Sequence, residues 1–350
     1  MGLNKGIPDG RFKRRNFLQL SGLAAMQLCV NNVWGRESSP MIMTVTGPVP
    51  AFDIGSTLTH EHVMVDFIGA NKVSPDRYNR NEVYEAALIK LKELKAAGCK
   101  SLFECTPAYL GRDVRLLKDL AIASGLNIIT NTGYYGAVNE KYLPSHAYTE
   151  SSQSIADRWI GEFKNGIDGT GIRPGMIKTS VDKLPFTSAQ EKMIEAAALT
   201  HLKTGLTIGV HTGNGEAAIR QVEILKTFKV HPSAWIWIHS QNENDTKYHL
   251  EISKSGGWIG LDGLSEPNEE NYMNMLLLMK RQQLLKKVLL SQDSGWYHVG
   301  EEGGGLYNGY TYIHEQFIPK MLNRNFKKED VEMIFIQNPA KAFAINFRKL

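Results

Sequence analysis

The chain has 350 residues, 42% of them hydrophobic and 22% charged, which is the balance of a folded globular protein and excludes a disordered one. A formal net charge of +4 is small for this length and asks for no nucleic-acid partner, and past the first residues no apolar run could span a bilayer. Three cysteines, one of them in the leader, make no disulfide framework in a chain this large.

Residues 1–36 read as an export signal. The basic stretch "RFKRRNF" precedes a short apolar run, "LQLSGLAAMQLCV", and then a polar break. Arg14 and Arg15 followed by Phe17 and Leu18 resemble the twin-arginine type, with Lys13 and Gln19 departing from its commonest form, so a periplasmic protein is expected. A lipoprotein anchor at Cys29 is disfavoured, because "MQLC" lacks the small residues such a site shows.

The stretch "MIMTVTGPVPAFDIG" reads as a short hairpin. After it, β-prone runs alternate with helical ones. The strands are "TLTHEHVMVDF", "SLFECT", "NIITNTGYY", "GMIKTSV", "TIGVHTG", "WIWIHS", "WIGLDG" and "VLLSQDS". Between them lie amphipathic runs such as "NEVYEAALIKLKELKAAG" and "SAQEKMIEAAALTHLKTG", most stopped by Gly or begun after Ser, Asn or Asp. Eight strands, each followed by a helix, predict an α/β fold, a (β/α)8 TIM barrel closed below by the hairpin, as one domain over residues 41–350. A doubly wound open sheet would show a Gly-rich phosphate turn after its first strand, and none is present.

In such a barrel the reactive groups sit at the C-terminal ends of the strands. The polar exceptions there are His60 and His62 on the first strand, Lys178 on the fourth, His211 on the fifth, His239 on the sixth and Asp293 on the eighth. A unit takes about 30 residues when some 250 make eight, and these positions fall on the strands that such a count predicts. Side-chain alternation puts His60 and His62 on one face, into the barrel, and turns Thr59 and Glu61 toward the helices. Four neutral imidazoles and a carboxylate suit zinc or a similar ion and exceed one tetrahedral site, which implies a second metal. The Lys178 ammonium would be repelled by two cations. Its carboxylation by carbon dioxide would instead make an anion able to bridge them. His146, His201, His231, His249 and His314 are read as surface or packing residues.

Taken together, "LTHEH", the isolated "IK", "HT", "HS" and the Asp of "SQD" resemble the phosphotriesterase family of binuclear-metal hydrolases, in the amidohydrolase superfamily, over about residues 43–345. The resemblance implies that His60, His62 and Asp293 hold the more buried metal and His211 and His239 the more exposed one. Carboxylated Lys178 and a hydroxide would bridge them, the hydroxide attacking an ester-type bond and Asp293 taking its proton. It also suggests a homodimer. Organophosphate-hydrolysing members carry an Asp and a His as a proton relay where this chain has Asn242 and Gly263. Lactone-hydrolysing members carry a Tyr at the end of the third strand, where Tyr135 falls beside Tyr134, yet they keep that Asp and place an Arg at the position of Gly263. A small-molecule lactone or carboxylic ester is therefore expected as substrate, ahead of a phosphotriester. The readings left beside it are a catalytically silent periplasmic binding protein and a deaminase or cyclic-amide hydrolase. "SGWYHVGEEGGGLYNGY" reads as a mobile lid over the site.

Overall fold

The computed structural model describes Met1, Gly2 and residues 39–350, so the expected leader with Cys29 falls, from residue 3 on, outside the described residues. The hairpin is formed by β1 (Met41–Thr44) and β2 (Gly47–Pro50), paired antiparallel. The barrel strands follow in chain order: β3 (Thr57–Val65), β4 (Ser101–Glu104), β5 (Asn127–Ile129), β6 (Asn131–Thr132), β7 (Met176–Val181), β8 (Thr207–Thr212), β9 (Trp235–Ile238), β10 (Trp258–Asp262) and β11 (Val288–Ser291). Between them run α1 (Arg80–Ala96), α2 (Val114–Ser124), α3 (Ser152–Asn165), α4 (Ser188–Thr204), α5 (Gly215–Thr227), α6 (Thr246–Ser255) and α7 (Glu269–Arg281), and the chain closes on α8 (Asn338–Phe343). Local sequence sets these boundaries. Asp113 accepts the backbone N–H groups of Arg115 and Leu116 to start α2, and left-handed Gly125 ends it. Thr187 and Gln190 form a reciprocal cap on α4, which stops at left-handed Gly205.

All barrel neighbours pair in parallel, as two arcs. One runs from β6 through β7, β8, β9 and β10 to β11, and the other from β5 through β4 and β3 to a further strand, β12 (Gly295–His298). The arcs meet at two seams. At the first, β5 and β6 are halves of the third strand, parted at Thr130. At the second, the chain leaving β11 is stitched to β3: Asp293 N–H donates to the His60 carbonyl at 3.1 Å, and His62 N–H donates to the Ser294 carbonyl at 2.9 Å. This is the (β/α)8 barrel. The expected lid differs at its start, because β12 pairs with β3 and takes the first part of "SGWYHVG" out of the loop.

Side chains sort by strand alternation into two clusters. Leu102, Ile128, Ile177, Ile208, Trp237, Ile259 and Val288 face outward and pack on the helices. Phe103, Ile129, Met176, Ile236, Ile238 and Leu289 face inward, joined by Ile42 and Ile54 from the N-terminal segment and by Phe343. Gly209 sits among these inward residues, where a Cβ would come within 2.8 Å of Met176 and 2.9 Å of Ile238. The Phe103 and Phe343 rings stack with centroids 3.8 Å apart, and buried Asn338 donates to the carbonyls of Leu285 and Val288, so α8 plugs this core. Phe103→Ala is expected to lower unfolding free energy by about 3–5 kcal/mol, read from urea melts; a loss below about 1 kcal/mol would show that α8 does not depend on this contact.

Candidate metal centre

Three atoms without a proton between them converge at the seam of β3 and β11. His62 Nδ1 lies 2.8 Å from Thr106 Oγ1, and that hydroxyl donates its own hydrogen to the Met64 carbonyl at 3.0 Å. Thr106 therefore accepts from His62 Nδ1–H, which leaves Nε2 as a lone pair. His60 Nδ1 lies 3.1 Å from Asp262 Oδ2 and donates to it, so its Nε2 is a lone pair as well. The two Nε2 atoms stand 3.3 Å apart, and Asp293 Oδ1 lies 3.1 Å from that of His62 and 3.5 Å from that of His60. This carboxylate oxygen is buried with no hydrogen-bond donor among the described residues. Lone pairs this close repel one another unless a cation stands among them, so the donor set fits a divalent metal.

The remaining predicted residues lie around this point. The His239 ring centroid is 5.0 Å from that of His60 and 4.5 Å from that of His211. Lys178 and Tyr135 line the same cavity as the four histidines and Asp293. Tyr135 Oη is 3.1 Å from His211 Nδ1, and its ring centre is 5.5 Å from Lys178 Nζ. Tyr134 turns the other way, to hydrogen-bond His146 and pack on Trp159, so Tyr135 is the tyrosine at the site. Burial dominates the electrostatics. It lowers the pKa of His60 and Lys178, takes His62 to about 4 and pushes His211 well below its ordinary value. The imidazoles are thus held neutral, as metal ligation requires. For His239 burial is outweighed by the Asp262 carboxylate, which raises it.

Asp262, at the end of β10, is the residue that sequence reasoning passed over. It is the same kind of polar exception at a strand end as the others. Its Oδ2 takes the proton of His60 Nδ1, while Oδ1 takes both the His239 backbone N–H at 2.9 Å and the ring Nδ1–H at 2.6 Å. Burial pushes its carboxyl up, but His239 and His60 more than offset this and keep it ionised. With both oxygens engaged by N–H donors, Asp262 orients ligands and is not itself free to bind an ion. Glu61 corrects the expectation from alternation: it does not reach for the helices. It is fully buried and accepts from Ser291 Oγ, Gln292 N–H and Ser294 N–H, gripping the chain on both sides of Asp293. Burial takes its pKa up to about 8 against these three donors.

Two backbone irregularities aim the ligands. Leu58 packs outward, and unbroken alternation would send His60 outward too, but the register between β3 and β4 shifts between Leu58 and Glu61. Ile238 points inward, so the next residue should point out; His239 takes a left-handed conformation, φ 63°, and its ring swings back to the centre. Asp293, φ 51°, and Trp296, φ 75°, share that sparsely populated region. Trp296 Nε1–H donates to the Asp293 carbonyl at 2.6 Å, and its ring lies over His62 with centroids 4.0 Å apart. Two cavities open on the ligands, one of about 210 Å³ and one of about 920 Å³, and His211, His239 and Asp293 line both. Asn242 and Gly263 line the larger.

Fold and site together define an α/β-barrel protein with a cluster of histidines and a carboxylate, able to hold a metal ion, at the C-terminal ends of its strands. The chain belongs to the phosphotriesterase family, whose profile matches residues 40–343. It is 29% identical to a phosphotriesterase homology protein of Escherichia coli strain K12, over 83% of this chain and 98% of that one. It is 29% identical to an aryldialkylphosphatase of Saccharolobus solfataricus, over 83% and 96%. A crystal structure of a mutant phosphotriesterase-like lactonase of Deinococcus radiodurans superposes with a TM-score of 0.77 at 27% identity, covering 86% of this chain and 99% of that one.

Asp262→Asn removes the charge that fixes the tautomers of His60 and His239. It is expected to weaken metal binding by about 10–100-fold, measured by competition with a chelator. Wild-type affinity in that variant would show that the two rings are oriented without Asp262.

Proposed function

We propose that this family hydrolase acts on ester-type bonds, on lactones or carboxylic esters in preference to phosphotriesters. The observation that carries the reading is that, among the described residues, two cavities meet at the ligand cluster. A carbonyl under attack carries two substituents, whereas a phosphotriester carries three and needs a third pocket. Tyr135 beside His211 supports the same choice; Asn242 and Gly263 remove the relay of the phosphotriester-hydrolysing members and depart from the lactone-hydrolysing ones as well.

His60, His62 and Asp293 would hold one ion, His211 and His239 the other, and a carboxylated Lys178 would serve both. Two divalent ions of the zinc type supply, when bound, Lewis acidity for the substrate oxygen and a water that ionises at neutral pH. The chain does the rest. Burial favours the neutral amine of Lys178, the form that reacts with carbon dioxide. Asp293 lines both cavities, so its carboxylate can accept the proton of the attacking water and return it to the leaving oxygen on the other side. Burial keeps the proton on Tyr135, whose hydroxyl can donate to a substrate oxygen. Trp296 roofs His62 and limits water there. Export on the leader of residues 1–36 to the periplasm is part of the proposal, supported by "RFKRRNF" and the apolar run after it.

One panel of lactones, aryl esters, phosphotriesters and cyclic amides tests the reading. Turnover of lactones or aryl esters above the rest, two metal equivalents per chain and loss of activity to a chelator are expected. Lys178→Ala should lose the metal pair and turnover together. Well under one metal equivalent with chelator-indifferent activity would overturn the metal mechanism, and phosphotriesters as best substrates would overturn the substrate class. A silent binding protein would instead keep ligand binding unchanged in Lys178→Ala.

A further inference from the structure

The two cavities that share His211, His239 and Asp293 differ in chemistry, the smaller mostly apolar and the larger mixed. The smaller is walled by Phe67, Pro107, Leu110, Tyr142 and Trp296, with Tyr135 at the ligands. Its surface is aromatic and apolar, suited to a compact apolar group. The larger is a groove with the exposed side chains of Asn242, Asn244, Asn271 and Asn274 along it, their amides open to a ligand. Tyr272, between the last two, is only 4% exposed, and its hydroxyl has no partner among the described residues. A buried hydroxyl left unpaired is costly, and a ligand that pairs it recovers that free energy.

Gly263 leaves space beside that buried hydroxyl. A Cβ at this position would stand 3.1 Å from Tyr272 Oη and 3.0 Å from Gln241 Nε2 and crowd both. Charge completes the picture. Among the described residues no lysine or arginine lines the groove, so a carboxylate, phosphate or sulfonate entering it would lose water without gaining a counter-charge. Glu243 offers a cation little, because its two oxygens accept from Gly215 N–H and Asp245 N–H. What remains is an array of neutral amides that donate and accept at once, beside the apolar Leu261, Met275 and Leu278, the complement of an uncharged molecule that carries both hydroxyls and C–H faces.

Resting on the ester-hydrolase reading above, we propose that the substrate is an ester of a compact apolar or aromatic acid with a neutral polyhydroxylated alcohol such as a sugar. The acyl group fills the small cavity and the alcohol lies in the groove. Hydrolysis forms a bond from the water oxygen to the acyl carbon and breaks the bond from that carbon to the alcohol oxygen. The electron pair leaves with that oxygen, which takes a proton, and the acid and the polyol are released.

The test compares kcat/KM of the metal-loaded enzyme on benzoyl esters of methyl glucoside, of ethanol and of glycolate. The glucoside ester is expected to exceed the ethyl ester by about tenfold, the worth of one or two hydrogen bonds, and the glycolate ester to be slowest. Asn271→Ala combined with Asn274→Ala, and separately Tyr272→Phe, should each lower the glucoside-to-ethyl ratio several-fold through KM. Tyr272→Phe removes only an unpaired hydroxyl, so the fold should survive it. Equal rates on the glucoside and ethyl esters, a fastest glycolate ester, or ratios unchanged in both variants would overturn the substrate assignment while the hydrolase reading stands. Turnover of phosphotriesters or amides but of no carboxylic ester would overturn both.

Discussion

One buried carboxylate decides which nitrogen two imidazoles offer to the centre of the barrel. Asp262 accepts a hydrogen bond from His60 on the first strand and another from His239 after the sixth, and so turns the lone pairs of both rings away from itself. A protonated Nε2 at 3.3 Å from its neighbour would make a hydrogen bond and end the matter. That neighbour is His62, whose Nδ1–H is given to Thr106; with Nε2 deprotonated on both His60 and His62, and faced by an ionised Asp293, the same distance becomes an electrostatic conflict that the fold alone does not relieve. The site is best understood as this conflict, maintained by burial that keeps the imidazoles neutral and by donors that keep the carboxylates charged.

Much of this was legible in the sequence, because it rests on a rule that survives ignorance of the coordinates: in a barrel, the polar residue ending an apolar strand faces the common pocket. That rule reached His60, His62, Lys178, His211, His239 and Asp293, all of which the fold brings to one end. It applies equally to Asp262, whose role needed the positions of two histidines from distant strands to be seen. Alternation served less well. It paired His60 with His62, but said nothing of the register shift that turns both inward past Leu58, nor of the left-handed turn that returns His239 to the centre. Both arise from tertiary pairing, which a period of two cannot carry. Glu61 was misread for a related reason. Its partners are backbone groups more than 200 residues away in the chain, supplied by a seam that exists only once the ring has formed.

The walls around the ligands obey a different logic from the ligands themselves. The metal-facing residues are spaced by the barrel and are hard to move, whereas Asn271 and Asn274 lie on an exposed helix face and Gly263 on a turn with φ 128° that few side chains tolerate. A glycine there suits the positive φ of the turn after β10 and leaves room beside Tyr272 and Gln241 that a side chain would take.

The stitching of Asp293 to β3 has a further meaning. The hydrogen bonds that close the ring also hold one of its reactive carboxylates, and Glu61 braces both. Its last fastening and its working centre are thus the same few atoms. A chain whose eighth strand has not docked has no complete site, and an ion shared by His60, His62 and Asp293 would act as a rivet through the joint. Competence for chemistry and completion of the fold then arrive in a single event, so that a half-made copy is an inactive one.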